Sequence, residues 1–172
     1  MGVNRKRFIL GAAAAALSGQ AADVKSRTKD PAIGLEIEKA LVRKALDMTK
    51  AAYAPYSHFQ VGAAVLASSG KIYGGANVEN ASYGAAVCAE RTAIFNAVVA
   101  GERKLVALAV AGGKNGQVVD YCAPCGICRQ VMREFGDPKK FRILIAKSVT
   151  DYRAFTLAEL LPESFGPENL GL

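Results

Sequence analysis

Two short stretches hold the residues best suited to chemistry. Cys88-Ala89-Glu90-Arg91 sets a carboxylate two residues after a thiol, and Pro124-Cys125-Gly126-Ile127-Cys128-Arg129 sets two thiols three residues apart. Three thiolates can hold one zinc ion and leave the fourth tetrahedral position to water. A carboxylate beside that position, not itself a ligand, can carry protons between the water and a substrate. Cys122 opens an alternative, because Cys122, Cys125 and Cys128 follow an every-third spacing and a fourth thiol could close the shell. A closed structural site of that kind would leave Glu90 without a task.

The elements around these stretches can be read from hydrophobic period. An apolar stripe through Leu35, Ile37, Leu41, Ala45, Met48 and Ala52 predicts a helix that Pro55 ends. Residues 60–66, a Ser-Ser-Gly turn at 68–70 and residues 71–78 predict a β-hairpin. Residues 88–99 predict a helix with Ala93, Ile94, Ala97 and Val98 inward, residues 105–110 a buried strand, and residues 112–116 a glycine-rich loop. A second short helix over 126–135, a strand over 142–146 and a last helical turn over 156–161 complete the order. One antiparallel pair combined with helix-linked strands predicts an α/β domain, a mixed sheet with helices on both faces. Both cysteine stretches then begin helices, where unpaired N–H groups and the helix dipole favour thiolate over thiol. Arg91 is placed to offset the charge of three thiolates.

Composition narrows the function classes. The 172 residues are 51% hydrophobic, enough for one domain with a substantial core. The net charge is +7, but residues 1–30 contribute six Lys/Arg against two Asp, leaving +3 on the remainder with no basic run. A mildly basic solvated surface fits that distribution better than a nucleic-acid groove. Four cysteines are too few for a disulfide scaffold, and the Cys-x-x-Cys pair points to metal or redox work in a reducing compartment. Residues 1–22 have the layout of an export signal: Arg5-Lys6-Arg7, an apolar stretch over 8–17, then small residues. Asn4-Arg5-Lys6-Arg7-Phe8-Ile9-Leu10 resembles a twin-arginine signal with Lys6 at the second arginine. The stretch is too short to span a bilayer, so no membrane anchor is expected. A cytoplasmic location is expected, with export as the alternative. Residues 23–32 read as a disordered linker.

From about Ala32 onward the chain resembles the cytidine deaminases of the small homotetrameric, zinc-dependent type. The likeness rests on Tyr53-Ala54-Pro55-Tyr56-Ser57-His58-Phe59, Asn77-Val78-Glu79-Asn80-Ala81-Ser82-Tyr83, both cysteine stretches, and Leu160-Leu161-Pro162-Glu163-Ser164-Phe165-Gly166-Pro167-Glu168. It implies an N-terminal extension over 1–31, a deaminase domain over 32–172, and a three-layer α/β/α fold whose mixed sheet has about five strands. It also implies one Zn2+ per subunit on Cys88, Cys125 and Cys128, with Glu90 as proton shuttle and Arg91 softening the thiolate charge. Asn77 and Glu79 are implied to hold the ribose; lying two apart in extended chain, they face the same way. Phe59 is implied to face the pyrimidine, Ala89 to contact the substrate, and Phe165 to reach a neighbouring subunit's site. The implied reaction is hydrolytic deamination of cytidine and deoxycytidine to uridine and deoxyuridine with release of ammonia, a step of pyrimidine salvage. The implied partners are a small nucleoside and other copies of the chain in a homotetramer with shared active sites.

The same residues admit plainer roles. His58, the only histidine, reads as a hydrogen-bonding residue of the fold, since three thiolates suffice for the metal. Glu79 could be a solvated loop carboxylate, Phe165 ordinary packing, and Asn80 with Ser82 shapers of a loop. Arg129 and Arg133, one helical turn apart, read as a surface or subunit-interface face. The 112–116 loop lacks the Gly-Lys-Ser/Thr ending of a phosphate loop. A deaminase of an aminated pyrimidine antibiotic, an editor of bases in nucleic acid and a non-catalytic zinc scaffold are the competing functions. The Ser164–Glu168 tail opposes the first, the absence of a basic aromatic groove the second, and Glu90 the third.

Overall fold

A computed structural model describes residues 33–171. The signal-like residues 1–22 and the linker, 23–32, lie outside the described residues. The chain runs α1 (Leu35–Met48), β1 (Phe59–Ala67), β2 (Ile72–Ala76), α2 (Ala89–Val99), β3 (Leu105–Lys114), α3 (Gly126–Phe135), β4 (Arg142–Ala146), β5 (Tyr152–Thr156) and α4 (Leu157–Leu160). The five strands form one sheet in the order β2-β1-β3-β4-β5. β1 is antiparallel to both β2 and β3, β3 is parallel to β4, and β4 is antiparallel to β5. The expected mixed sheet is therefore present, with α1 on one face and α2 and α3 on the other.

Period-2 alternation in the strands builds both layers. Ala63, Val65, Leu108, Val110, Ile143 and Ile145 face one side and pack with Ala93 and Ile94 of α2 and Cys128 and Met132 of α3. Ala64, Leu66, Ala107, Ala109 and Leu144 face the other and pack with Leu41, Val42 and Ala45 of α1. Complete burial of Ile94 or Met132 contributes about 1.5–3 kcal/mol each. Gly75 lets α2 close on β2, because a Cβ there would come within 2.8 Å of Ala93 Cα. That approach holds α2, and the cysteine before it, against the sheet.

Four local expectations need correction. Leu35 and Ile37 are exposed, and the inward face of α1 is Glu38, Leu41, Val42 and Ala45. Buried Glu38 is satisfied from afar: Arg142 Nη2 lies 2.7 Å from Oε1, and the Tyr152 hydroxyl donates to Oε2 at 2.8 Å. α1 stops at Met48 and passes into a 3-10 turn, Thr49–Ala51, before Pro55 is reached. Val98 is only half-buried. β3 runs on through Gly112 and Gly113, so the glycine-rich stretch is mostly strand, and only Asn115-Gly116 makes the turn. β5, not distinguished by local pattern, supplies the fifth strand and leads into α4 through a capping box between Thr156 and Glu159.

Candidate metal centre and active site

Cys88 and Cys125 are the residues immediately before α2 and α3, both in extended conformation, and neither side chain caps its helix. Their thiols are thus free for another use, beside first-turn N–H groups that have no partner within the helix. Cys128, one turn into α3, is fully buried in the core. The three Sγ atoms converge within 4.8 Å of one another, with Cys88 to Cys125 at 3.9 Å and Cys125 to Cys128 at 3.5 Å. Tetrahedral zinc with bonds of about 2.3 Å requires sulfur atoms about 3.8 Å apart. The donor set fits zinc in number, type and spacing.

Cys122 is not in this cluster. Its sulfur lies against β3, 3.2 Å from where a Cβ on Gly112 would be, next to Phe59 and Val61. A closed four-thiolate shell does not form, and the fourth position of the centre receives no cysteine. All four cysteines are unpaired. His58 also lies outside the cluster. Its backbone takes a left-handed turn (φ 55°), donates to Ala54 O and accepts from Asn115 N–H, tying the 53–59 loop to the end of β3.

Arg91 Nη2 stands 3.9 Å from Cys88 Sγ and donates to Ala86 O at 3.1 Å. Cys88 ionises more readily than Cys128. A hydrogen bond from Cys128 and the Arg91 guanidinium draw the Cys88 thiol down to about 5 against the opposing effect of burial. The remaining proton is held more tightly at Cys128, beside the Cys88 thiolate and away from solvent. Glu90, in the first turn of α2, is 4% exposed, and burial pushes its carboxyl above the usual range. The Cys88 and Cys128 sulfurs are close enough to act on its ionisation, which sets the carboxyl beside the centre without making it part of the ligand cluster. Ala89, fully buried, separates ligand from carboxylate in the same helical turn.

The remaining expected residues lie outside the sulfur cluster. Asn77 sits at the end of β2, its Oδ1 accepting from Val61 N–H at 2.8 Å and its Nδ2 donating to Phe59 O at 3.0 Å. Glu79 accepts from the backbone N–H groups of Tyr56 and Ser57 and from the Ser57 hydroxyl. That hydroxyl bond chiefly holds the Glu79 carboxyl below its ordinary range. Both side chains therefore brace the loop leading to β1, a role the residue types alone did not reveal. Asn80 accepts from Ser82 N–H and shapes its loop as expected. A cavity of about 400 Å³ is lined by Tyr56, Ser57, Glu79, Asn80, Tyr83 and Ala86. One of its lining residues, Ala86, accepts a hydrogen bond from Arg91. Tyr56, Ser57 and Tyr83 were missed as lining residues; their only sequence signal was proximity to Phe59 and Glu79. A larger cavity, about 650 Å³, lies where β3 begins and α3 ends, remote from these residues. Phe59 is partly exposed at the start of β1, and Phe165 is 59% exposed on the C-terminal tail. Arg129 and Arg133 do not form a solvent face: Arg133 is buried, and both reach the C-terminal segment. No helix among the described residues is long and apolar enough to cross a membrane.

Comparison with known proteins agrees with this geometry. A profile of the cytidine and deoxycytidylate deaminase zinc-binding region matches residues 35–144. A cytidine deaminase of Halalkalibacterium halodurans is 44% identical over 130 residues, covering 76% of this chain and 95% of the relative. A probable cytidine deaminase of Dictyostelium discoideum is 41% identical over 78% of this chain and 87% of its own length. Among solved structures, the cytidine deaminase of Burkholderia pseudomallei superposes with a TM-score of 0.66 at 45% identity, covering 73% of this chain and 97% of that one. The Mycobacterium tuberculosis enzyme gives 0.63 at 40% identity, covering 74% and 95%.

Proposed function

Because the chain belongs to the cytidine deaminase family, we propose that its three-sulfur centre and Glu90 carry out zinc-dependent hydrolysis of the 4-amino group of cytidine and deoxycytidine. The reaction consumes one water and yields uridine or deoxyuridine and ammonia. The observation that carries this reading is the open cluster of Cys88, Cys125 and Cys128 with a buried carboxylate beside it. Cys88, Cys125 and Cys128 would hold the zinc, which when bound would lower the pKa of a water from about 15.7 toward about 7.

The protein's own groups do the rest. Glu90 takes a proton from the attacking water and passes it to N3 of the pyrimidine, which leaves C4 open to attack. The new C4–O bond forms, Glu90 takes the second proton of the former water from the C4 hydroxyl and delivers it to the amino group, and the C4–N bond breaks as the C4 carbonyl forms and ammonia leaves. Arg91 offsets the thiolate charge at Cys88. Phe59 lies against the ring, the Ala89 backbone contacts the base, and Asn77 and Glu79 hold the ribose through donor and acceptor sites left over from bracing the 53–59 loop. An acidic Glu79 in the sugar site opposes a phosphorylated substrate, so free nucleosides are favoured over nucleotides and strands. Phe165, exposed on the tail, completes the site of a second copy, which accords with a homotetramer.

We assign the deaminase domain to residues 32–172 and the extension to 1–31. Four unpaired cysteines, three of them needed as thiolates, suit a reducing compartment and a cytoplasmic enzyme of pyrimidine salvage. Retention of residues 1–22, checked by mass spectrometry of the N-terminus in the native cell, supports that location; their removal supports export.

The substrate assignment is tested by incubating the purified zinc-loaded protein with cytidine, deoxycytidine, CMP and a cytosine-containing oligonucleotide, following ammonia release and ultraviolet absorbance. Conversion of the two nucleosides is expected. Preferential conversion of CMP or the oligonucleotide would overturn it.

A further inference from the structure

The helix that carries two of the three sulfur ligands also carries three side chains that grip the C-terminal segment. Arg129 Nη1 donates to Leu160 O at 2.8 Å, Gln130 Nε2 to Phe165 O at 3.0 Å, and Arg133 Nε to Ser164 Oγ at 3.1 Å. Arg133 Nη2 also pairs with Glu168. The Arg133 side chain is only 7% exposed, because the tail passes directly over it. Gly166 makes that crossing possible: a Cβ there would fall among the guanidinium atoms. The Gly166 N–H is in turn fixed by Asn169 Oδ1 at 2.7 Å. Leu161 is half-buried and every side chain from Pro162 to Leu170 is partly or fully exposed, so apolar burial does little to hold the tail. Its course is set chiefly by these polar contacts, and the Phe165 ring is left pointing away from its own chain's core.

We propose that Arg133 and Gln130, with Gly166, are positioning residues that set Phe165 relative to the metal-bearing helix, so that the tail is presented for nucleoside binding in a fixed register. This rests on the reading that Phe165 contributes to a nucleoside site. The geometry explains why a tail with almost no core of its own can supply a binding group. The guanidinium fork makes directed contacts to two residues on either side of Phe165–Gly166, and such a fork fixes orientation where a single ammonium would not. Loss of the fork lets Phe165 wander while Cys125 and Cys128 stay in place, so substrate binding suffers and the metal centre does not.

The test uses the full-length zinc-loaded enzyme and the variants Arg133→Gln, Gln130→Ala, Gly166→Ala, Phe165→Ala and the Arg133→Gln/Phe165→Ala pair. For each, kcat and KM for cytidine, zinc per chain and melting temperature are measured. Each clamp variant is expected to raise KM roughly 3–10-fold while kcat changes less than about twofold and zinc is kept. Because Arg133 acts through Phe165, the double variant should bind cytidine no worse than Phe165→Ala alone. Unchanged KM in the clamp variants, with KM raised in Phe165→Ala, overturns the clamp and leaves the Phe165 reading standing. Additive effects in the double variant also overturn it. Unchanged KM in Phe165→Ala overturns the underlying reading itself. Should Arg133→Gln fail to fold, Gln130→Ala decides alone, since Gln130 is exposed and, among the described residues, its side chain hydrogen-bonds only the tail carbonyl.

Discussion

Glu90→Gln separates proton transfer from every other property of the site. The substitution keeps the side-chain volume and the place in the first turn of α2, and removes only the group that can gain and lose a proton. Two deliveries are assigned to Glu90, one to N3 and one to the leaving amino group, but kcat reports whichever limits turnover. A positioned acid–base group is worth about 10²–10⁴-fold, or roughly 3–5 kcal/mol on the barrier at 1.36 kcal/mol per tenfold. The structural cost is smaller. Glu90 is 4% exposed, and a buried amide that loses one hydrogen bond costs about 1–3 kcal/mol of stability. That lowers Tm by roughly 10 °C or less in a chain of this size. Folded variant therefore remains to be assayed, and the activity loss cannot be mistaken for unfolding. The assay is ultraviolet decay of saturating cytidine at pH 7, with zinc per chain measured on the same sample. A fall in kcat of about 10²-fold or more with zinc retained is expected. A kcat within about tenfold of the parent would refute Glu90 as the proton carrier, and loss of zinc would show that it belongs to the metal shell.

Three other perturbations probe separate parts of the molecule. Cys125→Ser should abolish stoichiometric zinc, whereas Cys122→Ser should keep one zinc per chain and normal turnover, because Cys122 lies outside the sulfur cluster; metal analysis decides both. Glu79→Gln should raise KM for cytidine roughly tenfold with a smaller effect on kcat. The same variant should lose stability at neutral pH. A carboxyl whose folded pKa is lowered stabilises above its unfolded value, and the benefit fades as pH falls through the folded value. The Tm gap between parent and Glu79→Gln should thus begin to narrow once pH falls below the unfolded value of about 4.3, and close only below the lower, folded value. Glu38→Ala breaks a buried ion pair and should cost about 3 kcal/mol. Tm should fall by about 10 °C, with kcat per folded molecule unchanged; a Tm within about 2 °C of the parent would contradict the burial argument.

What could be read from the chain, and what could not, divides by the range of the interactions. The sulfur cluster was legible because coordination restricts residue type, and because both cysteine stretches begin helices whose boundaries follow from local period. α3 and β4 were legible to the residue for the same local reason. The inward face of α1 was not, since burying Glu38 depends on Arg142 and Tyr152 more than a hundred residues away. Gly112 and Gly113 looked like loop because strands disfavour glycine. The structure requires glycine there: a Cβ on Gly113 would overlap the Gln117 backbone, and one on Gly112 would crowd Phe59, Val61 and Cys122. β5 is a short edge strand with partly exposed side chains, so its alternation is weak against the surrounding loops.

The same division explains Arg133. Helical spacing places it one turn from Arg129, which locally means a solvated face, and no nearby residue contradicts that. Its partners Ser164 and Glu168 lie more than thirty residues on. Their meaning becomes clear only when Gly166 is seen to be the residue that lets the tail cross a guanidinium. Chemistry that needs particular atoms at one point leaves a readable spacing. Positioning that needs a particular shape between distant segments leaves glycines and arginines whose local reading is bland. In this fold the two are joined by a single helix: α3 holds two of the three clustered sulfurs at its start and contacts the tail along its length, so two corners of the centre and the course of the tail depend on one element.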